Sequence, residues 1–284
     1  MKTIERVGVI GAGTMGHGIA QVAAAAGCDV VLMDNTADLA ERGLQRIREN
    51  LNDGIKRGKV TEQQRDDVLA RIRVSGNAST SANDRDLMIE AVPERMDLKV
   101  ALLQWIEAYL PDDAIIGSNT SSLSISAMQN ALRQPHRMIG LHFFNPVHIN
   151  RLVEIVRGNV TAAEVVQASL AFVKRIDKDA IVVKDSPGFA TSRLGVLLGL
   201  EAMRMLEEGV ASAEDIDRAL ELGYRHPVGP LKLTDLVGLD VRLDIARYLH
   251  GELGTDQYKP PLILEQMVAQ GKLGKKTGEG FYKW

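Results

Sequence analysis

Short runs rich in β-branched residues alternate with longer stretches whose apolar positions recur every three or four residues. Val7–Ile10, Asp29–Met33, Leu87–Val92, Ala114–Gly117, Met138–Phe144 and Leu152–Val156 each read as a buried strand. Between them, MGHGIAQVAAAAG reads as a helix that stops at Gly27, a natural C-terminal cap. A long helix starts at about Thr36, its N-cap, and ends in Lys56-Arg57-Gly58-Lys59. An amphipathic helix covers roughly 96–109, up to Pro111. This alternation, sustained to about Val183, predicts a doubly wound, Rossmann-like α/β domain. Asp185-Ser186-Pro187-Gly188 breaks it. Beyond the break the chain reads as helical. RLGVLLGLEAMRMLEEG is apolar almost all round, so more than one of its sides is expected to be covered. SAEDIDRALELG is a helix capped by Ser212. The expected organisation is an α/β unit over residues 1–185 and an all-α unit over 186–284.

Composition narrows the classes of function. The 284 residues are 45% hydrophobic and 25% charged, with a net charge of −3. No overall basic field recruits nucleic acid, so a site for an anionic ligand has to be local. The single cysteine, Cys28, excludes an internal disulfide framework and a cysteine-rich metal site, and no metal is expected. No apolar run approaches the ~20 residues of a membrane span. The start, MKTIERVGVIGAG, runs straight into a glycine pattern that needs it as a strand, so it does not read as a signal peptide. The expected location is the cytoplasm.

That glycine pattern is Gly11-Ala12-Gly13-Thr14-Met15-Gly16. A lone GxGxxG is weak evidence. Here it sits between a strand and a helix, and Asp34 closes the next strand, as a dinucleotide fingerprint requires. Gly11 permits the tight turn, Gly13 lets a pyrophosphate approach the backbone, and Gly16 lets helix and strand pack closely. Thr14 and Met15 lie within the turn beside the cofactor. The helix start offers unpaired N–H groups to phosphate. Asp34 accepts from ribose hydroxyls and repels a 2′-phosphate, which favours NAD over NADP.

The stretch GLHFFNP carries His142 in an apolar strand, followed by Asn145 and Pro146. A satisfied core histidine is the plain reading. Glu154, between Val153 and Ile155, opens another. A carboxylate that holds one imidazole nitrogen fixes the ring and lets the other act as acid or base. Ser118-Asn119-Thr120-Ser121-Ser122 follows a strand, where an open parallel sheet places ligand groups, or where simple turn chemistry suffices. The basic run at Lys56 is either a solvated helix end or a phosphate clamp.

Taken together, VGVIGAGTMGHGIAQVAA, IEAVPERMDLK, SNTSSLSI, GLHFFNPVHINRLVEIV, DSPGFATSR, HPVGPLKLTDLVGLDVR and LGKKTGEGFYKW span essentially the whole chain. The sequence resembles the short-chain L-3-hydroxyacyl-CoA dehydrogenases, and within them the bacterial 3-hydroxybutyryl-CoA dehydrogenases. The resemblance implies NAD-dependent interconversion of 3-hydroxyacyl-CoA and 3-ketoacyl-CoA in fatty acid metabolism. It also implies a homodimer formed through the helical domain, with acyl-CoA as the partner molecule. It makes His142 the catalytic base and Glu154 its carboxylate partner, and places Ser121 on the substrate. Glu94, Lys99 and Asn119 line the nicotinamide side of the cofactor site. Lys56 falls near the CoA phosphates, and Asn145 near the substrate.

One departure stands out. The family pattern PGFxxNR usually has asparagine before the arginine, and this chain has Ser192 in PGFATSR. Serine keeps a donor but is shorter, so it works through a water or serves a different acyl pocket. Two alternatives accompany the main reading: a related hydroxyacid dehydrogenase acting on a non-CoA substrate, and a catalytically weak NAD(H)-binding protein.

Overall fold

The computed structural model describes residues 3–77 and 81–284. The chain divides into two compact units, Met1–Ser186 and Pro187–Trp284.

The first unit is built on an eight-stranded sheet with spatial order β3-β2-β1-β4-β5-β6-β7-β8. Its strands are β1 (Arg6–Ile10), β2 (Asp29–Met33), β3 (Ile72–Ser75), β4 (Leu87–Glu90), β5 (Ile115–Ser118), β6 (Met138–Phe143), β7 (Leu152–Arg157) and β8 (Asp179–Lys184). Its helices are α1 (Gly16–Ala25), α2 (Ala37–Lys56), α3 (Glu62–Ala70), α4 (Met96–Glu107), α5 (Ile125–Gln129) and α6 (Ala163–Arg175). The central strands are buried on both faces, which is why they read as continuous apolar runs. Val7, Val9, Ile19, Leu32, Ile89 and Ile139 belong to one core beneath α1 and α2.

The expected elements appear with small shifts that have local causes. β4 ends at Glu90 rather than Val92 because the Val92 N–H turns back to donate to Glu90 Oε1 at 2.7 Å. Thr36 caps α2 by accepting from the Leu39 N–H at 3.2 Å. Between β6 and β7 no helix intervenes. Residues 144–151 are too few for a parallel crossover, so β7 returns antiparallel to β6. β8 then pairs parallel to β7 as an exposed edge.

The second unit is helical: α7 (Thr191–Glu207), α8 (Ala213–Gly223), α9 (Pro230–Val237), α10 (Leu239–Leu253) and α11 (Leu262–Ala269). Val196, Leu200, Met203, Leu231, Leu243 and Leu249 form its core. α7 is not covered all round within the chain: Leu194 and Leu198 remain 62% and 42% exposed.

Candidate active site

The carboxyl ends of β1, β2, β4, β5 and β6 gather the polar groups of the first unit at one edge of the sheet, where an open α/β sheet binds its ligands. The turn after β1 has the shape a dinucleotide needs. Gly11 has φ +96°, and a Cβ there would stand 2.6 Å from the Ala91 carbonyl oxygen. Around Gly13 an added Cβ would meet nothing within 4 Å, which leaves backbone open to a pyrophosphate. A Cβ on Gly16 would collide with the Gly11 carbonyl. α1 starts at Gly16 with no side-chain cap and no acid in its first turn, so no side chain competes with an anionic ligand for the helix start. Thr14 lies in the turn, and Met15, next to it, packs partly into the core. Asp34 Oδ2 accepts from the Ala12 N–H at 2.8 Å, and Oδ1 from the Asn35 N–H at 2.8 Å. Those bonds fix the carboxylate beside the turn, where the adenine ribose of a dinucleotide lies. The residues present therefore fit NAD.

At the same edge, His142 and Glu154 are register partners on β6 and β7. His142 Nδ1 lies 2.7 Å from Glu154 Oε2. Glu154 is fully buried and His142 is 7% exposed. The Phe144 ring centroid is 4.3 Å from that of the imidazole and flanks it on one side. Asn119 Oδ1 accepts from the Phe143 N–H at 2.9 Å, which ties the loop after β5 to the histidine strand.

Beneath that loop lies a buried polar network. Glu90 and Lys99 are 0% and 1% exposed. Lys99 Nζ donates to Glu90 Oε1 at 2.6 Å and to the Val92 carbonyl at 3.1 Å, and lies 3.3 Å from Glu94 Oε2. Ser118 Oγ donates to Glu90 Oε2 at 2.6 Å. Glu94 Oε1 accepts from Thr120 Oγ1 at 2.6 Å, from the Ser121 and Ser122 N–H groups at 2.9 and 3.1 Å, and from Ser121 Oγ at 3.3 Å. Burial pushes the Glu94 carboxyl up, but the Lys99 ammonium and the donors from Thr120 and Ser121 outweigh it and hold the group below its ordinary range. Glu94 thus collects the serine loop, and Lys99 acts on that loop through Glu94.

Lys56 is an exposed helix end, paired with Asp53 at 2.9 Å. Asn145 is exposed and precedes a cis peptide bond to Pro146; its carbonyl accepts from Asn150 Nδ2 at 2.6 Å. Ser192 lies in the first turn of α7, in the helical unit. Glu90 was not singled out from the sequence. The only signal was an acid inside the apolar run LMIEAV, which the strand pattern absorbs. Among the described residues, no group of three or more His, Cys, Asp or Glu could hold a metal ion.

A dinucleotide turn and a histidine–carboxylate pair at one sheet edge define a nicotinamide-dependent dehydrogenase. The chain belongs to the 3-hydroxyacyl-CoA dehydrogenase family. Residues 6–186 match the family's NAD-binding domain and 188–284 its C-terminal domain. It is 42% identical over 281 residues to a 3-hydroxybutyryl-CoA dehydrogenase of Bradyrhizobium diazoefficiens, covering 99% of this chain and 96% of that one. It is 40% identical over 281 residues to a probable 3-hydroxybutyryl-CoA dehydrogenase of Bacillus subtilis, covering 99% and 98%. The crystal structure of (S)-3-hydroxybutyryl-CoA dehydrogenase from Ralstonia eutropha superposes with a TM-score of 0.96 at 41% identity, with 99% of each chain covered.

Proposed function

We propose that the chain interconverts short (S)-3-hydroxyacyl-CoA and 3-ketoacyl-CoA esters, as part of fatty acid metabolism. The observation that carries this reading is the 2.7 Å contact between His142 Nδ1 and Glu154 at the edge where the dinucleotide turn lies. Nicotinamide, when bound, takes or gives a hydride. The chain's own residues handle the proton.

In oxidation, His142 takes the proton of the 3-hydroxyl at Nε2 and becomes positively charged. Glu154, held at Nδ1, fixes the ring's orientation and lies where that charge develops. In reduction the protonated ring returns the proton to the oxygen as C3 accepts hydride. Phe144 excludes water from one face of the ring. The Ser121 hydroxyl, which donates to Glu94 Oε1 at 3.3 Å, turns from it to hydrogen-bond the substrate oxygen. Asp34 selects NAD over NADP. Glu94, Lys99 and Asn119 shape the nicotinamide side, and Asn145 and Ser192 contact the substrate. The cations Lys56, Arg57 and Lys59 meet the CoA phosphates. The names of the most similar relatives support a CoA ester over a free hydroxyacid.

The same reading makes residues 1–185 the cofactor domain and 186–284 the substrate and dimerisation domain of a cytoplasmic homodimer. Exposed Leu194 and Leu198 on α7 suit a second subunit. Cys28 is buried and in no disulfide, as suits a reducing compartment. The test is the initial rate of NADH loss with acetoacetyl-CoA, beside NADPH and beside free acetoacetate. Fast loss is expected only with NADH and the CoA ester. Comparable turnover of free acetoacetate would favour a non-CoA hydroxyacid dehydrogenase, and NADH binding without turnover a binding protein.

A further inference from the structure

His17 and His148 play no part in the proton transfer at His142. His17 lies in the first turn of α1, close after Gly13. His148 lies on the connection between β6 and β7. α1 and that connection touch: a Cβ on Gly18 would stand 2.8 Å from Val147 Cβ. The two histidines are the chain neighbours of these residues, so both rings border one seam. His17 Nδ1 is 2.6 Å from the Gly13 carbonyl oxygen. A carbonyl only accepts, so Nδ1 carries the proton and Nε2 is the nitrogen left for a ligand. His148 is exposed.

The seam is rich in cations. Burial pushes the His148 imidazole down, and His17, Lys178 and Arg57 push it further the same way. Burial lowers His17 as well, against the pull of its bond to the Gly13 carbonyl, and Arg46 adds to the fall. Among the described residues, no carboxylate acts on either ring. α2 supplies Arg46 and, just past its end, Arg57, while Asp53 in its last turn pairs with Lys56 at 2.9 Å. His148 also lines a cavity of about 250 Å³ with Arg151, Arg175, Asp177 and Lys178. There Arg151 takes up Asp177 at 3.2 Å and Asp179 at 2.9 Å. Arg175 donates to the Ile4 carbonyl at 2.7 Å, and the buried Lys178 to the Asn150 carbonyl at 2.6 Å. Two imidazoles held neutral among cations are completed by an anion, which offsets the repulsion and favours the protonated rings.

We infer that His17 and His148, once protonated, hold a phosphate of the CoA ester beside Arg57, so that the advantage of a CoA ester over a shorter thioester is set by pH. The inference rests on the proposed reading, in which Arg57 meets the CoA phosphates. Each imidazolium N–H gives the phosphate a charge-assisted hydrogen bond. Without phosphate both rings titrate below the ordinary 6.5, and beside phosphate each is raised. Binding therefore takes up protons. Affinity is greatest at low pH and falls as pH rises through the raised values. The dinucleotide's pyrophosphate is the other phosphate near His17, through the turn at Gly13, and the experiment separates the two sources.

The test compares acetoacetyl-CoA with acetoacetyl-pantetheine, which keeps the reacting carbons and the thioester but lacks every phosphate. With NADH, kcat/KM for each is measured between about pH 5.5 and pH 8.5, the span in which histidine titrates. The full-length proteins are wild type, His17→Asn, His148→Gln and the double variant. Proton transfer at His142 and NADH binding are common to both esters and cancel in the ratio. The wild-type ratio of CoA ester to pantetheine ester is expected to fall roughly tenfold or more as pH rises, the scale of a hydrogen bond to a charged group. Each single variant should flatten part of that fall, and the double variant all of it. Titration of a phosphate monoester acts the other way, since it loses charge as pH drops below about 6. A wild-type ratio that does not change with pH, or a fall that survives in the double variant, overturns the inference and leaves the proposed reaction standing. So does a pH-dependent KM for NADH that the variants remove while the ester ratio stays flat, which gives the phosphate to the dinucleotide. If His17→Asn does not fold, wild type and His148→Gln decide. No turnover of acetoacetyl-CoA at any pH would sink both the inference and the reaction on which it rests.

Discussion

His142 and Glu154 face each other across the antiparallel pairing of β6 and β7, with Nδ1 2.7 Å from Oε2. Register partners point to the same side of a sheet, so the pairing follows from the backbone and does not depend on a flexible loop. A one-residue slip would send Glu154 to the opposite face. The neighbouring loop is fastened to the same strand through Asn119 and Phe143. His142, Glu154 and the Ser121 loop are thus held by one piece of sheet.

The buried Glu90–Lys99 pair supports that loop from below. Replacing Lys99 by methionine leaves Glu90 in the core without its cation. The expected cost is about 3–5 kcal/mol, the usual penalty for breaking a buried pair from one side. Urea unfolding of the full chain measures it. KM for NADH should rise as well, because Glu94 loses its cation. A loss no larger than that of an exposed substitution would show that the network does not support the fold.

Glu94 gives a pH dependence whose sign follows from its partners. Its folded pKa lies below the ordinary 4.5. The stability it contributes is therefore complete above about that value and is lost as pH falls through the depressed folded pKa. Glu94→Gln should flatten the stability profile on this acid side, relative to wild type, in unfolding series between pH 6 and pH 3. Parallel profiles would contradict the assignment.

On the proposed reading, Asp34 sets the choice of cofactor through its anchored carboxylate. Asp34→Ser should lower kcat/KM for NADH by roughly tenfold to a hundredfold, the scale of hydrogen bonds to a charged group. It should raise the NADPH/NADH ratio, because the repulsion of a 2′-phosphate is removed. Steady-state rates with both cofactors read this directly, and an unchanged ratio would place the ribose elsewhere.

How much of this was legible in the sequence depends on how local each feature is. The glycine turn and Asp34 were legible because the fingerprint is a matter of short spacing and strand–turn–helix context. His142 and Glu154 could be nominated as a pair, but facing one another required the antiparallel register, which depends on how a short connection folds. Glu90 was hidden because an acid inside LMIEAV reads as one more position of a buried strand. Only α4 brings Lys99 back beneath it. α3 and β3 were missed for a related reason. EQQRDDVLA buries Val68 alone, and Ile72–Ser75 is a short edge strand with little apolar signal.

The most direct test of the central claim uses His142→Gln, which keeps a polar side chain of similar size but cannot carry the proton. NADH binding, read by fluorescence, should match wild type, since the dinucleotide turn is untouched. The initial rate of NADH oxidation with acetoacetyl-CoA should fall by about 10²–10⁴-fold, the range that general acid–base catalysis contributes. A folded His142→Gln protein that binds NADH and turns over acetoacetyl-CoA at the wild-type rate would contradict the account.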